Sequence, residues 1–296
     1  MEQYQNFSVQ CNSSKDEDKK IYYDFLEMYK EFLIDEDMEL YQVPFKSEEY
    51  FQIKELEKKY RWDWESDENR DDYPGFYVDE TAFITHYSKS DYNNAVAYII
   101  NYHTIVFSYE TIDEDDYVGL CCENANWECA PIYVQKKEYL LPKSEFGKKK
   151  YAQTMLGYAV SIDIRNELME AGFATKNVFR NINDKKGEVV CYQMDPQNIV
   201  KGFAELNEMY LVDVCKSCGM KRYVLGEEPY YINQSILNSF SGLAKTEELF
   251  GPVPEPAENM SERKIVLEPC NLIDKRTYEF LISKYPRMEF IPVFLK

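Results

Sequence analysis

The sequence is poor in histidine and glycine, with 2 histidines and 11 glycines among its 296 residues. Both histidines, His86 and His103, stand among aromatic residues, which favours structural packing over catalysis. The motifs G-x-S-x-G, G-x-x-x-x-G-K-[ST], G-x-G-x-x-G and H-E-x-x-H do not occur. These absences remove the commonest hydrolase, nucleotide-binding and zinc-protease readings, and we predict no catalytic residue. Because carboxylate-only enzymes leave no local motif, an enzyme stays as an alternative.

Long apolar runs are absent as well, since no stretch reaches 18 consecutive apolar residues. The first 20 residues lack the basic start and the apolar core of a secretory signal. We therefore expect a cytoplasmic protein with no membrane partner. Its eight cysteines should then be reduced thiols. Cys11, Cys191 and Cys270 each sit beside apolar neighbours and are expected to pack as small apolar residues.

The composition predicts a folded protein of mixed α+β class. Hydrophobic residues make up 45% of the chain and aromatic residues 16%, enough to bury a sizeable core. A chain of 296 residues also lies at the size where single cores stop growing, so we expect two parts. The polar segment Phe146–Lys150 is the expected boundary. It would separate an acidic, aromatic-rich domain over 1–150 from a second domain over 151–296.

Charge is distributed unevenly along the chain. Residues 1–141 hold 32 acidic and 13 basic side chains, whereas residues 142–296 hold 21 of each. Such a field repels the phosphates of nucleic acids and accelerates encounter with a basic protein. We therefore predict a basic protein partner and no nucleic acid. A solvated surface that only maintains solubility is the alternative.

An amphipathic helix is predicted over residues 17–34. Two adjacent stripes of apolar residues run along it at helical spacing: Ile21, Phe25, Met28 and Phe32, and beside them Tyr22, Leu26, Tyr29 and Leu33. This apolar side is expected to pack against a core. Residues 38–45 are predicted as a strand, and residues 91–101 as a helix capped by Ser90.

An internal repeat is predicted in the second half. The pattern Ile-Asp-x-Arg occurs at Ile162–Arg165 and again at Ile273–Arg276, and a phenylalanine follows each arginine at the same interval. Each copy reads as a strand, a short helix with aspartate near its start, and a second strand. The sequence therefore predicts a duplicated strand-helix-strand unit in which Leu168 and Leu281 are buried.

Two β-hairpins are also predicted in this half, with turns at Asn183–Gly187 and Cys215–Gly219. In the second turn, Cys215 and Cys218 have the spacing of a zinc knuckle, whose closed site needs two further ligands. The candidates for these ligands are Cys122 and Cys129. A redox pair would need a helix after the first cysteine, whereas strands flank this turn. We expect a turn without metal and no cofactor, with zinc as the alternative.

The C-terminal pattern resembles a known family. The Cys215–Gly219 knuckle, a later strand, the helix Arg276–Lys284 and the ending Met288–Lys296 are similar to bacterial double-CXXCG proteins. They are also similar to a broader group of bacterial proteins encoded beside polymorphic toxins as their immunity partners. The likeness covers residues 155–296, and this chain keeps one CxxCG. The resemblance implies a toxin-neutralising role and offers no catalytic residue.

Neutralisation by occlusion needs an acidic or aromatic surface rather than an active site. Trp62 and Trp64 lie in an acidic run and are predicted as anchors for the partner, although one could be core and the other its cover. The predicted acidic rim is Asp113, Glu114, Asp115 and Asp116. We therefore predict an immunity-type binding protein, with an enzyme or a regulatory binding module as alternatives.

Overall fold

The structure is a computed structural model that describes residues 1–35, 38–60, 75–101, 117–119, 133–135, 140–154, 157–201, 211–214, 221–223, 229–250 and 268–296. Its helices and several β-sheets confirm the mixed α+β class. The chain divides into two compact units, Met1–Asp91 (unit 1) and Tyr92–Lys296 (unit 2). Within the described ranges, no helix is long and apolar enough to cross a membrane.

Unit 1 has six main elements: β1 (Glu2–Cys11), α1 (Asp16–Tyr29), β2 (Leu33–Asp35), β3 (Leu40–Pro44), α2 (Glu48–Tyr60) and β4 (Phe76–His86). The four strands form a sheet in the order β2-β3-β1-β4, and all neighbours are antiparallel. As a result, β1 is parallel to β2 and β3 is parallel to β4. Each helix joins a parallel pair that has one strand inserted between its members. This is the β-α-β-β-α-β topology of ferredoxin-like folds, which host many unrelated functions.

One hydrophobic core lies between the helices and one face of this sheet. Phe7 and Val9 of β1 are fully buried, and they belong to one cluster with Phe25 and Tyr29 of α1 and Ile53 of α2. Ser8, which lies between Phe7 and Val9 in β1, is polar and points to the opposite face. Alternation along β1 therefore assigns one face of the sheet to the core.

The prediction of one helix over residues 91–101 is wrong. The observed helix α3 (Lys89–Asn94) begins earlier, with Ser90 inside it, and ends before the strand β5 (Ala97–Asn101). Ser88 supplies the cap, because its hydroxyl oxygen accepts from the Asp91 N–H at 3.2 Å while the Asp91 carboxylate accepts from the Ser88 N–H at 2.8 Å. This reciprocal pair satisfies two otherwise unpaired donors at the start of the helix.

Unit 2 contains the remaining elements, and their bounds follow the chain: β6 (Tyr117–Gly119), β7 (Tyr133–Gln135), α4 (Lys143–Phe146), β8 (Tyr151–Thr154), β9 (Gly157–Val160), α5 (Ile162–Glu170), β10 (Phe179–Asn183), β11 (Val189–Met194), β12 (Ile199–Val200), β13 (Leu211–Val214), β14 (Lys221–Tyr223), β15 (Tyr230–Ile232), α6 (Gln234–Leu237), β16 (Leu243–Phe250), β17 (Glu268–Asp274), α7 (Lys275–Lys284) and β18 (Glu289–Leu295). A smaller sheet has the order β10-β11-β9-β8. A larger sheet has the order β13-β14-β16-β17-β5-β18-β15, with β12 beside β16, while β6 pairs with β7.

The strand β5 decides where unit 2 begins. It lies between β17 and β18, antiparallel to both, with Ile99 opposite Leu272 on one side and Ile291 on the other. Residues 97–101 therefore belong to the sheet built by the C-terminal end of the chain. This pairing explains why the units divide at residue 91 rather than near residue 150, where the polar segment and the change of charge had placed the boundary.

Two strand-helix-strand units occur in unit 2, as predicted. The helix α5 joins β9 to β10 with β11 inserted between them, and α7 joins β17 to β18 with β5 inserted between them. In both cases the inserted strand is antiparallel to its neighbours, so the joined strands are parallel. The two units therefore share one topology.

The helix caps give the structural alignment of the two copies. Ser161 accepts from the third residue of its helix, the Ile164 N–H, and Asp274 accepts from the corresponding Thr277 N–H. Leu168 and Leu281 both lie seven residues after the cap and are buried, which confirms the prediction for both leucines. The Ile-Asp-x-Arg matches, however, are offset by two positions from this alignment. The topology repeats, but the short sequence match does not mark equivalent positions.

Among its described residues, three hydrophobic clusters stabilise unit 2. One contains α5 and α7 with residues from both sheets, and two further clusters lie on other strand faces of the larger and the smaller sheet. In β5, Tyr98 and Ile100 belong to the first cluster and Ala97 and Ile99 to the second. The centre of the larger sheet is therefore apolar on both faces.

Candidate functional site

The residues predicted to bind a partner or a metal all lie outside the described residues. The predicted partner-binding residues are Trp62, Trp64, Asp113, Glu114, Asp115 and Asp116. The predicted metal ligands are Cys122, Cys129, Cys215 and Cys218. Their roles stay predictions.

The strands that flank both cysteine pairs are described. β13 pairs antiparallel with β14, with Val214 opposite Lys221, so the strands of the second predicted hairpin are confirmed. β6 likewise pairs with β7, with Tyr117 opposite Gln135. Each cysteine pair thus lies in the chain segment that connects two antiparallel strands. Where the structure describes side chains, no group of three or more His, Cys, Asp or Glu could hold a metal ion.

The described cysteines and the described histidine, His86, make packing contacts. Cys191 and Cys270 are buried as predicted, while Cys11 is partly exposed and packs at the edge of the unit 1 core. Burial raises the pKa of the Cys191 thiol to about 12, which keeps the thiol neutral at ordinary pH. His86 contacts the ring of Tyr4 edge-on, with ring centroids 5.2 Å apart.

The described residues contain a different candidate surface, and it begins on α1. Phe25 and Tyr29 take the buried side of this helix, one from each predicted stripe. Met28 was expected on the packed side, and this expectation is wrong, because 63% of the residue is exposed. Tyr23 is equally exposed, at 63%. Buried residues at i and i+4 orient the helix so that these two apolar side chains face solvent.

The surface continues into β2 and the connection to β3. Leu33 lies opposite Tyr41, whose ring is part of the core. Because side chains alternate along a strand, Ile34 points away from the core and is 53% exposed. Met38, in the connection that follows, is 60% exposed. Four large apolar side chains of this segment are therefore exposed: Tyr23 and Met28 on α1, Ile34 on the sheet face away from the core, and Met38 in the connection after β2.

Hydrogen bonds fix the backbone that carries this surface. The Met38 N–H donates to the Asp35 carboxylate at 3.0 Å, and the Val9 N–H donates to the Glu39 carbonyl at 3.2 Å. The Tyr22 hydroxyl donates to the Glu39 carboxylate, and the Tyr22 ring contacts that of Tyr23 at 5.4 Å. Burial and then this hydrogen bond raise the pKa of Tyr22, so its hydroxyl remains a donor at neutral pH. These contacts join α1 to the connection between β2 and β3.

The sequence that carries these four residues is mostly acidic. Residues 23–39 hold seven acidic side chains and one basic side chain, Lys30. The Lys30 ammonium pairs with the Glu27 carboxylate at 2.7 Å, and the hydrogen bond between them lowers the pKa of Glu27 and raises that of Lys30. Acidic side chains in this segment therefore outnumber basic ones by six. Exposed apolar side chains in an acidic rim can bind a protein but perform no chemistry by themselves.

Sequence reasoning missed this surface although part of its signal was visible. The run from Asp35 to Asp37 is acidic, but the helical spacing placed Met28 on a packing stripe.

No family model, curated protein or solved structure matches this chain.

Proposed function

We propose that this protein is an immunity-type binding protein that neutralises a cognate bacterial toxin by protein–protein occlusion. The observation that carries the proposal is the charge of unit 1, in which 24 acidic side chains stand against 11 basic ones. Unit 2 is closer to balance, with 29 against 23. An acidic unit attached to a nearly balanced one is the charge distribution expected of a protein that captures a basic partner.

Ion pairs within unit 1 do not remove this charge. Lys30, just after α1, pairs with Glu27 of that helix. Lys54 and Lys58 pair with Glu57 and Glu55 on α2. Because acidic residues exceed basic ones by 13, pairing every cation with one carboxylate would still leave 13 carboxylates. These charges favour a basic protein over a nucleic acid, whose phosphates they repel.

The C-terminal sequence pattern supports the toxin as the partner. The Cys215–Gly219 knuckle and the ending of the chain resemble double-CXXCG and immunity proteins, and the knuckle joins the paired strands β13 and β14. Occlusion needs no reacting group of the binding protein, in keeping with a chain in which we predict no catalytic residue.

Co-expression tests the proposal directly. Where the gene neighbourhood contains a toxin domain, that domain is expressed in a host with and without the protein, and growth is measured. We expect growth to be restored. The control is an unrelated protein of similar net charge, which should not protect. Unrestored growth in the presence of abundant folded protein would sink the proposal.

Binding kinetics at two salt concentrations test the predicted surface residues. Changing Asp113, Glu114, Asp115 and Asp116 to Lys should slow association more than it speeds dissociation, because rim charges act over a Debye length of about 8–10 Å. Truncation of Trp62 or Trp64 to Ala should instead speed dissociation, by about 2 kcal/mol or more for a hot spot. If neither salt nor the Lys substitutions changed the association rate, the acidic residues would serve solubility only.

A further inference from the structure

We propose that one end of the smaller sheet of unit 2 binds a short acidic segment of another protein. Six exposed lysines lie at that end, and we call them the lysine cluster: Lys143, Lys148, Lys149, Lys150, Lys185 and Lys186. The inference goes beyond the proposed function, because it concerns a second surface whose charge is opposite to that of unit 1. Its test uses no toxin, so it stands or falls separately.

The topology of the smaller sheet brings the lysines to one end. In the order β10-β11-β9-β8, the strands β8 and β11 are both antiparallel to β9 and therefore run in the same direction. The residues that precede β8 and the turn that precedes β11 must then leave the sheet at the same end. The first carry Lys148, Lys149 and Lys150, and the second carries Lys185 and Lys186. Two lysine runs that are distant in sequence thus lie at one end of one sheet.

Packing and polar contacts join the two lysine segments directly. Leu141 and Phe146, on either side of Lys143, are buried in one cluster with residues of the β10–β11 hairpin. The Leu141 N–H donates to the Asn183 carbonyl at 2.9 Å. The Lys143 ammonium pairs with the Glu188 carboxylate in the hairpin turn. The segment before β8 is therefore packed on the hairpin that carries the other lysines.

The backbone of both lysine segments is held in place. In the hairpin turn, the Asp184 carboxylate accepts from the N–H groups of Lys186 and Glu188, both at 2.9 Å. Before β8, the Lys149 N–H donates to the carbonyl of the buried Phe146 at 2.9 Å. Little backbone entropy is then lost when a partner binds.

Lysines outnumber the carboxylates that accompany them. Four carboxylates lie in or pair with the two lysine segments: Glu145, Asp163, Asp184 and Glu188. Lys143 pairs with Glu188 and lies 3.9 Å from Asp184, and Lys150 pairs with Asp163. Of these four carboxylates, Glu145 remains to offset the other four lysines of the cluster. The excess is local and positive, in a chain whose net charge is −19.

Charge selects the class of partner. A carboxylate-rich segment short enough to stay on the lysine cluster gains local attraction, because exposed charges act over a Debye length of about 8–10 Å. A long DNA duplex or an anionic membrane surface would bring further negative charge against the acidic remainder of the protein. A second copy of this chain would also bring its own net charge of −19. These charges favour a short acidic segment of another protein.

Fluorescent peptides provide the probe. A peptide of alternating glutamate and glycine and a peptide of alternating glutamine and glycine, equal in length, are titrated with the full-length protein. Fluorescence anisotropy measures binding at low and at physiological salt. We expect the glutamate peptide to bind, more weakly at the higher salt, and the glutamine peptide not to bind.

A lysine variant tests whether the cluster is the site. Its substitutions are Lys148→Gln/Lys149→Gln/Lys185→Gln/Lys186→Gln. Binding of the glutamate peptide should weaken at least about tenfold, since exposed ion pairs contribute a factor of about 1.4–5 each. Thermal melts must show that the variant folds, which the exposed positions predict.

A charge-matched variant separates the cluster from the net charge of the protein. The control is Lys15→Gln/Lys19→Gln/Lys20→Gln/Lys46→Gln, which removes four exposed lysines of unit 1 and changes the net charge equally. It should bind the glutamate peptide within about twofold of the parent, because these lysines lie outside the cluster.

Several outcomes would overturn the inference. They are no binding of the glutamate peptide, equal binding of the two peptides, unchanged binding by the lysine variant, or an equal loss in the control variant. A DNA duplex of about 20 base pairs that binds more tightly than the glutamate peptide, and is lost in the lysine variant, would make nucleic acid the partner instead. A parent dimer that dissociates in the lysine variant, detected by sedimentation, would make a second copy the occupant.

Discussion

The strands β1 of unit 1 and β5 of unit 2 occupy equivalent places but are buried differently. Each is inserted between two parallel strands joined by a helix, β3 and β4 for β1, and β17 and β18 for β5. β1 places Phe7 and Val9 in one core and polar residues on its other face. β5 contributes to two cores, with Tyr98 in one and Ile99 in the other. The same local topology therefore serves a sheet with one apolar face and a sheet with two.

This difference extends to the surfaces of the units. Among the described residues, three apolar clusters lie in unit 2 and one in unit 1, and six large hydrophobic residues are exposed in unit 1 against four in unit 2. Unit 1 also carries the larger acidic excess. Under the proposed function, the acidic excess makes unit 1 the part expected to meet a basic partner, while the helices α5 and α7 pack in the core of unit 2.

The largest expected effect concerns those helices. Leu168→Ala and Leu281→Ala should each lower the free energy of unfolding by about 2–5 kcal/mol, because each leaves a cavity under a helix at the same distance from its cap. Urea denaturation measures the effect. Leu295→Ala, at a residue 43% exposed, is the control and should change stability by less than about 0.5 kcal/mol. If only one of the two leucine substitutions left the free energy of unfolding unchanged, the two leucines would not occupy equivalent positions.

A second test addresses the close approach of Gly242 to the chain that follows α5. Gly242 and Gly187 have the same φ of 78°, but only Gly242 has a neighbour in the way, the Phe173 carbonyl that follows α5. Gly187→Ala should cost about 1–2 kcal/mol from the left-handed backbone alone. Gly242→Ala should cost about 1–3 kcal/mol more, because the backbone must shift. Equal unfolding midpoints for the two variants would show that this close approach does not constrain unit 2.

The comparison of β1 and β5 also explains which predictions failed. A run apolar on both faces has no period of two, so residues 97–101 could not be told from a buried helix by periodicity. The predicted helix over 91–101 followed from that ambiguity. The compact units divide at residue 91 and not near residue 150, and sequence could not indicate this because the pairing of β5 with β17 is a contact between distant parts of the chain.

Other features could be predicted because their signals are local. Asn183–Gly187 has the glycine that the turn requires, and Asp184 accepts from both the Lys186 and the Glu188 N–H groups at 2.9 Å. The burial of Leu168 and Leu281 was predicted from the repeated strand-helix-strand pattern. The exposure of Met28 did not, since two adjacent apolar stripes leave open which pair of residues the sheet will cover.

The cysteine knuckle is expected to have a smaller effect than the core. Replacing Cys215 and Cys218 together by Ser should lower stability by no more than about 1–3 kcal/mol if the turn holds no metal. Denaturation of parent and variant measures this, and elemental analysis of the purified protein measures zinc. About one zinc per chain, or unfolding on addition of a chelator, would contradict the prediction. Zinc would then make the hairpin β13–β14 a metal-dependent part of unit 2.

The smallest effect concerns Asp195, which connects the two sheets of unit 2. Its carboxylate pairs with Lys245 of β16 at 2.7 Å and with Arg180 of β10. Burial by itself would raise the pKa of Asp195, but the hydrogen bond and charge of Lys245, together with Arg180, outweigh burial and lower the pKa. The pKa of Asp195 in the folded state is therefore lower than its pKa in the unfolded chain, which is about 3.9. Its contribution to stability is fully present above that value and is lost as the pH falls through the lowered folded pKa.

A double-mutant cycle with Asp195→Asn and Lys245→Met can isolate this contribution. We expect a coupling free energy of about 0.5–1 kcal/mol at pH 6, the upper part of the range for ion pairs near a surface, since both side chains are only partly exposed. The coupling should shrink on acidification below the folded pKa, because a protonated Asp195 no longer attracts the ammonium. Unfolding by urea at each pH gives the four free energies. A coupling that does not change with acidity would mean that the pair acts through packing rather than charge, and the two sheets of unit 2 would then be joined by their shared apolar core alone.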